Sequence, residues 1–238
     1  MAKSDIEWLK NPQTGKPGYS LNPVKGLCPM KCSYCYAARM YKRFKWNPEI
    51  RFEDCFAGKL EGKPGDKYFI GSTMELFGEW VEDKWLDYIF TWVQGYPSRT
   101  FIFLTKRPDR LPDSFPSNCW VGVSATNDVD FTNRAWKYLK DIMAMVKFVS
   151  FEPLLDWGMS IADTEFTLAS AGVNWVIIGQ QTPTSAKTAP KTEWIKTITK
   201  AADNLRIPVF VKDNLRDLYP GMEIVPFRHE FPKVKVTA

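Results

Sequence analysis

Six short apolar runs, each ending in polar residues, constrain the fold of this chain more than anything else in it. Lys67-Tyr68-Phe69-Ile70-Gly71 leads into Ser72-Thr73, and Thr100-Phe101-Ile102-Phe103-Leu104 into Thr105-Lys106-Arg107. Cys119-Trp120-Val121-Gly122-Val123 leads into Ser124-Ala125-Thr126, and Lys147-Phe148-Val149-Ser150-Phe151 into Glu152-Pro153. Asn174-Trp175-Val176-Ile177-Ile178 leads into Gly179-Gln180-Gln181, and Ile207-Pro208-Val209-Phe210-Val211 into Lys212-Asp213-Asn214. Strands that are apolar on successive residues bury both faces, which is the habit of a parallel sheet. Helical spacing separates several of them: Trp85, Ile89, Trp92 and Val93; Ala135, Leu139, Ile142 and Met143; Trp194, Ile195, Ile198 and Ala201. Trp80, Trp85, Trp92, Trp136 and Trp194 fall on such patterns and are expected in the core. Strand and helix in alternation predict an α/β fold with right-handed crossovers. Connections 107–118 and 153–173, rich in Pro, Asp, Ser or Gly, make poor helices. The expected architecture is therefore a partial or irregular (β/α) barrel with parallel strands, one domain over residues 1–238, with 215–238 as a C-terminal extension. Polar residues at the carboxyl ends of the strands then line the site.

The second constraint is chemical. Cys28-Pro29-Met30-Lys31-Cys32-Ser33-Tyr34-Cys35 follows the extended stretch Tyr19–Val24 and precedes an amphipathic pattern of Ala37, Met40, Tyr41 and Phe44 with Arg39, Lys42, Arg43 and Lys45 between them. Three thiolates at these spacings suit three corners of a [4Fe–4S] cluster and leave one iron open for chemistry. A zinc site needs a fourth ligand, and Cys55, Cys119 and the single histidine, His229, are the candidates. Counting alone leaves zinc open. Five cysteines, an odd number, and an opening Met-Ala-Lys-Ser without an apolar leader point to a reducing, cytoplasmic setting rather than a disulfide framework.

A 45 % hydrophobic content excludes disorder as the default, and no run approaches the ~18 apolar residues of a membrane helix. The net charge is +5, unevenly placed. Residues 1–50 carry nine Lys/Arg against three Asp/Glu, a net +6, so the remainder is −1. Lys25 and Lys31 flank the cysteines, and a basic rim there would attract an anionic substrate such as a nucleotide or nucleic acid.

Whole phrases beyond the cysteines are also distinctive. They include Ile6-Glu7-Trp8, Asn22-Pro23-Val24, Leu76-Phe77-Gly78-Glu79-Trp80, Leu104-Thr105-Lys106-Arg107-Pro108 and Phe148-Val149-Ser150-Phe151-Glu152-Pro153-Leu154-Leu155. With the C-x3-C-x2-C loop and Tyr34 just before its last cysteine, they resemble the radical S-adenosylmethionine (SAM) superfamily. Within it, they are similar to a compact phage- and prophage-associated family of unknown function. The likeness runs from residue 6 to about 214. It departs at Gly179-Gln180-Gln181-Thr182, where the family tends to Gly-Gly-Glu-Ser, and at Lys212-Asp213-Asn214-Leu215, where it tends to Lys-Gln-Trp-Gly. The sequence assigns no role to Gln180, Gln181, Lys212 or Asp213.

The resemblance implies a radical SAM enzyme. A [4Fe–4S] cluster on Cys28, Cys32 and Cys35 binds SAM, an electron donor such as flavodoxin or ferredoxin reduces it, and a 5′-deoxyadenosyl radical abstracts hydrogen from substrate. It implies Ser72 or Thr73, with Glu75, as acceptors for the methionyl amino group, and Lys106 and Ser124 as carboxylate ligands. The Tyr34 backbone and Gly179 would approach the adenine, and Glu152 would meet ribose hydroxyls or substrate. Lys106 and Glu152 are the candidate catalytic residues. Each has a structural alternative: Ser72 and Ser124 as turn caps, Lys106 and Glu152 as a bridge to one another. Two rival functions remain at this level. SAM could serve as a methyl donor, which an extra reactive cysteine would help, but Cys119 begins its strand at the wrong end. The chain could also be a non-catalytic zinc- or cluster-containing nucleic-acid-binding module.

Overall fold

The computed structural model describes residues 2–54, 60, 62–218 and 228–234. The strands are β1 (Ala2–Lys3), β2 (Tyr19–Leu21), β3 (Val24–Lys25), β4 (Arg51–Phe52), β5 (Lys67–Ile70), β6 (Thr100–Thr105), β7 (Cys119–Ser124), β8 (Val146–Phe151), β9 (Trp175–Ile178) and β10 (Val209–Val211). Eight of them make one sheet in the order β1-β2-β5-β6-β7-β8-β9-β10, and β3 pairs with β4 apart from it. Neighbours from β2 to β10 are parallel; only the edge strand β1 is antiparallel. The α-helices are α1 (Tyr36–Phe44), α2 (Asp83–Gln94), α3 (Asp128–Phe131), α4 (Ile161–Ser170) and α5 (Thr192–Asn204). Among the described residues β1 and β10 do not pair, so the fold is a mixed α/β sheet that is not closed by its strand ladder.

Period-two alternation within the strands divides the core. One face sends Tyr68, Ile70, Phe101 and Phe103 against Leu86, Ile89 and Val93 of α2. Further along, Val149, Phe151, Val176 and Ile178 meet Leu168 of α4 and Ile195 and Ile198 of α5. The opposite face carries Phe69, Ile102, Trp120, Phe148, Trp175 and Phe210, gathered around Trp8. Trp8 is buried, with its ring 5.2 Å from Phe69 on β5, 6.4 Å from Phe148 on β8 and 6.3 Å from Trp175 on β9. A stretch that reads as a mere approach to the first strand thus supplies the centre of the aromatic cluster on this face of the sheet. Packing there leaves no room at Gly122, where a Cβ would lie 2.5 Å from the Phe148 ring.

Part of the C-terminal extension completes the β10 edge. The Val211 amide donates to the Arg228 carbonyl at 2.7 Å, the Glu230 amide to the Val209 carbonyl at 3.2 Å, and Phe231 packs 5.7 Å from Trp175.

Three expectations need correction. Residues 153–173 contain α4, because Ser160 caps it by accepting the Asp163 amide at 3.1 Å. The Asp-Trp-Gly cluster at 156–158 hid that start. The pattern Ala135–Met143 does not run as one helix. It breaks into a π turn at Thr132–Trp136 and a 3-10 turn at Leu139–Asp141, and Met143 is 67 % exposed. The core tryptophans are Trp8, Trp120, Trp157 and Trp175; Trp80, Trp85, Trp92 and Trp194 pack at its margins and Trp136 is exposed.

Lys67 opens β5 at the foot of the sheet. Its ammonium donates to the Lys10 carbonyl at 3.1 Å and lies 3.7 Å from the Phe231 ring centroid, with no ion pair among the described residues. Burial pushes its pKa down to about 7. Between that value and the ordinary lysine range the unfolded chain holds a proton that the folded chain has released. Stability should therefore rise as pH increases from 7, by at most about 1.4 kcal/mol per unit. Urea midpoints of wild type should show this rise, and Lys67→Met should flatten it; equal slopes would place the lysine in solvent.

Candidate functional site

The cysteine loop is held between β2 and α1 by local chemistry. Gly26 has a φ of +124°, and its amide donates to the Tyr41 hydroxyl on α1 at 2.8 Å. A Cβ there would sit 2.7 Å from the Glu49 carbonyl, so only glycine lets the chain pass. Lys31, at φ +49°, reverses the chain between the first two cysteines. Cys35 caps α1, its Sγ accepting the Ala38 amide at 3.4 Å, which puts that sulfur at the positive end of the helix. Burial raises the Cys28 thiol pKa, and the Glu75 and Met30 amides directed at its sulfur act against this.

These turns bring Cys28, Cys32 and Cys35, all free and half-buried, to the lining of one open hollow. Leu27, Met30, Ala37 and Thr73 share its lining. Converging thiols, amide donors facing sulfur and largely apolar walls fit an iron–sulfur cluster held by three cysteines. Neither of the two described candidates for a fourth ligand lines it. Cys119 begins β7, opposite Phe101, within the core, and burial pushes its pKa up to about 12. His229 stacks on Phe210 with ring centroids 4.5 Å apart and faces the Asp213 carboxylate at 3.3 Å. A zinc site closed by either is corrected by their positions; Cys55 lies outside the described residues.

The strand ends surround this loop. The Ser72 hydroxyl and Thr73 amide both donate to Asn22 Oδ1 at 3.1 Å, and the Tyr36 hydroxyl donates to the Ser72 carbonyl at 2.6 Å. Ser72 therefore serves the turn, while Thr73 borders the hollow. Glu75 does not offer a free carboxylate. It accepts the Thr105 hydroxyl at 2.6 Å, the Phe77 amide at 3.1 Å and the Lys106 amide at 2.7 Å, which fixes the end of β6.

Lys106 and Glu152 do not bridge. The Lys106 ammonium lies 3.4 Å from the buried Ser124 hydroxyl and 5.9 Å from the Tyr34 ring centroid, without an ion pair among the described residues. The Tyr34 pKa is held above its usual range by burial, with Cys32 beside it adding to the effect. Glu152 instead pairs with Lys212, whose side chain is only 13 % exposed. Burial disfavours that ammonium, but the Glu152 carboxylate and Glu7 outweigh it and raise the Lys212 pKa. The space beside Gly179 belongs to the same pair: a Cβ would meet Lys212 Cδ at 2.9 Å and Glu152 Cγ at 3.3 Å. The expected adenine approach at Gly179 is therefore already filled by protein. Gln180, buried, exchanges hydrogen bonds with Asn214, tying the end of β9 to that of β10. Only strand order makes these pairs visible, since sixty residues separate Glu152 from Lys212. The Arg39 guanidinium donates to the Thr182 carbonyl and Tyr36 reaches Ser72, so α1 spans the mouth from the β5 end to the β9 end.

The chain belongs to the family described as protein of unknown function, DUF5131. The family model matches residues 3–216. No curated protein and no solved structure matches the chain. No radical SAM family matches either, which corrects the superfamily membership that the sequence phrases suggest.

The rim charges of the DUF5131 chain also differ from expectation. Lys25 is not a free rim cation: it pairs with Glu53 at 2.5 Å, and Arg51 joins the same carboxylate at 2.6 Å. Lys31, Lys42, Arg43 and Lys45 are exposed and make no ion pair among the described residues. No helix among those residues is long and apolar enough to cross a membrane.

Proposed function

We propose that this DUF5131 protein holds a [4Fe–4S] cluster on Cys28, Cys32 and Cys35 and cleaves SAM reductively to abstract hydrogen from a substrate at the mouth. The observation that carries this reading is the meeting of all three thiols at one hollow that neither Cys119 nor His229 reaches. Such a cluster, reduced by a donor such as flavodoxin or ferredoxin, supplies an open iron for the methionyl group and one electron that breaks the sulfonium C–S bond to methionine and a 5′-deoxyadenosyl radical. A thiolate-held cluster of this kind fits a reducing, cytoplasmic setting.

The residues of the chain would bind and orient. Lys106, a cation without a carboxylate partner among the described residues, would take the methionyl carboxylate, with Ser124 holding its ammonium in place. Thr73 would accept from the methionyl amino group. Leu27, Met30 and Ala37 would keep water from the sulfurs. The Glu152–Lys212 pair would face the ribose hydroxyls or the substrate. The sheet acts as a partial barrel around them; the reach of Trp8 from β5 to β8 and β9 supports that curl.

The test is anaerobic. Reconstituted protein, reduced with dithionite and given SAM, should yield 5′-deoxyadenosine, and its absence from protein with an intact cluster would sink the reading. Lys106→Met should keep the cluster yet lose about tenfold to a hundredfold in SAM affinity, as expected for a charge-assisted contact. Unchanged affinity would remove Lys106 from the carboxylate site.

A further inference from the structure

An exposed aromatic and basic face adjoins the cysteine hollow. α1 turns Ala37, Ala38 and Tyr41 towards the hollow, and Lys42-Arg43-Phe44-Lys45-Trp46 forms its outer end. Phe44 is 51 % exposed and Trp46 43 %. Their rings stack at 5.6 Å and 23°, and the Arg43 guanidinium lies 5.2 Å over Phe44. Lys45 ends the helix at φ +50°, and the Trp46 amide returns to the Tyr41 carbonyl at 3.2 Å. That turn sets the indole edge-on against Tyr41 at 5.2 Å, so the plates stand one side chain from the hollow.

We infer that this face binds single-stranded nucleic acid and leads a nucleotide to the hollow. Lys31, Lys42, Arg43 and Lys45 take phosphates, and the Phe44 and Trp46 rings take unstacked bases. Three observations converge on that ligand. The cations lack carboxylate partners among the described residues, Phe44 stands between Arg43 and Lys45 in sequence with the Arg43 guanidinium over its ring and Trp46 stacked on it, and the net +6 of residues 1–50 contrasts with −1 elsewhere. Duplex DNA would satisfy the cations but keeps its bases stacked away from the rings. An acidic protein would satisfy the cations without needing exposed rings among them. The inference names the substrate class of the site proposed above and rests on that reading for its chemistry, while binding itself needs only the face.

Fluorescence anisotropy with a labelled single-stranded oligonucleotide of roughly 20 nucleotides, titrated from about 50 to 200 mM salt, tests it. Affinity should fall steeply with salt. Lys42→Glu/Arg43→Glu should lose tenfold or more at low salt. Phe44→Leu and Trp46→Leu, which keep apolar packing but remove the ring faces, should each lose about tenfold with little change in salt slope. Lys200→Glu, on α5, should bind as wild type. Cys32→Ser should lose iron yet keep oligonucleotide affinity, so failure of the cluster and failure of the face are separately visible. Absent binding, binding indifferent to these variants, or duplex bound as tightly as single strand would overturn the inference. Loss of flavodoxin docking in the charge-reversed variant, with no oligonucleotide binding in wild type, would reassign the face to an acidic protein.

Discussion

Replacing Cys28, Cys32 or Cys35 with serine is expected to abolish iron–sulfur absorbance after anaerobic reconstitution and to reduce SAM cleavage to background. A serine hydroxyl stays protonated at neutral pH and offers a hard oxygen where iron–sulfur clusters take thiolate. Each sulfur borders the same hollow, so none substitutes for another. Cys119→Ala should retain both signals, because that thiol lies in the core at the start of β7 and is held protonated by burial. His229→Ala should retain them as well, since its ring stacks on Phe210 away from the loop. Loss of iron in either of these two variants would replace the open three-cysteine site with a closed one. Cys55→Ser carries the same expectation from the sequence alone.

The largest stability effect is expected at the Glu152–Lys212 pair. Glu152→Gln leaves the Lys212 ammonium, 13 % exposed, without its paired carboxylate and should cost about 3 kcal/mol. Partial exposure of Glu152, at 24 %, holds the figure to the lower end of what buried pairs show. Lys212→Met should cost a similar amount by stranding the carboxylate. Glu152→Leu/Lys212→Met should recover most of the loss, since an apolar pair needs no compensation for desolvated charge. Urea unfolding of the two single variants and a double variant measures the coupling. The raised Lys212 pKa sets the pH dependence. The stabilisation is fully present below the ordinary lysine value and is lost only as pH rises through the higher folded value, so neutral pH reports all of it. Single variants within about 0.5 kcal/mol of wild type would show that solvent screens the pair.

The legible parts of this protein were those that local chemistry decides. Strands β5 to β10 announce themselves because residues buried on both faces must be apolar in succession. The cysteine spacing announces a three-cysteine loop, and the polar ends of Thr105-Lys106 and Ser150-Phe151-Glu152 announce the carboxyl edge of the sheet. Even α4 left a local signal, the Ser160-x-x-Asp163 cap, which the glycine and aspartate just before it obscured.

Partnership across the sheet was not legible. Glu152 had two lysines at strand ends to choose from, Lys106 and Lys212, and chain distance ranks neither. The parallel register of β8, β9 and β10, with Ile178 opposite both Phe151 and Val211, brings Lys212 beside it. Trp8 likewise carries no mark of its place. Its burial depends on Phe69, Phe148 and Trp175 arriving from three strands, and no segment of the chain encodes that meeting by itself. Local sequence determined which residues became strands, caps and the three-cysteine loop, because those choices rest on neighbours within a few residues. Strand order and register decided which charges pair and which rings gather on the Trp8 face of the sheet, because those energies depend on groups that only folding brings together.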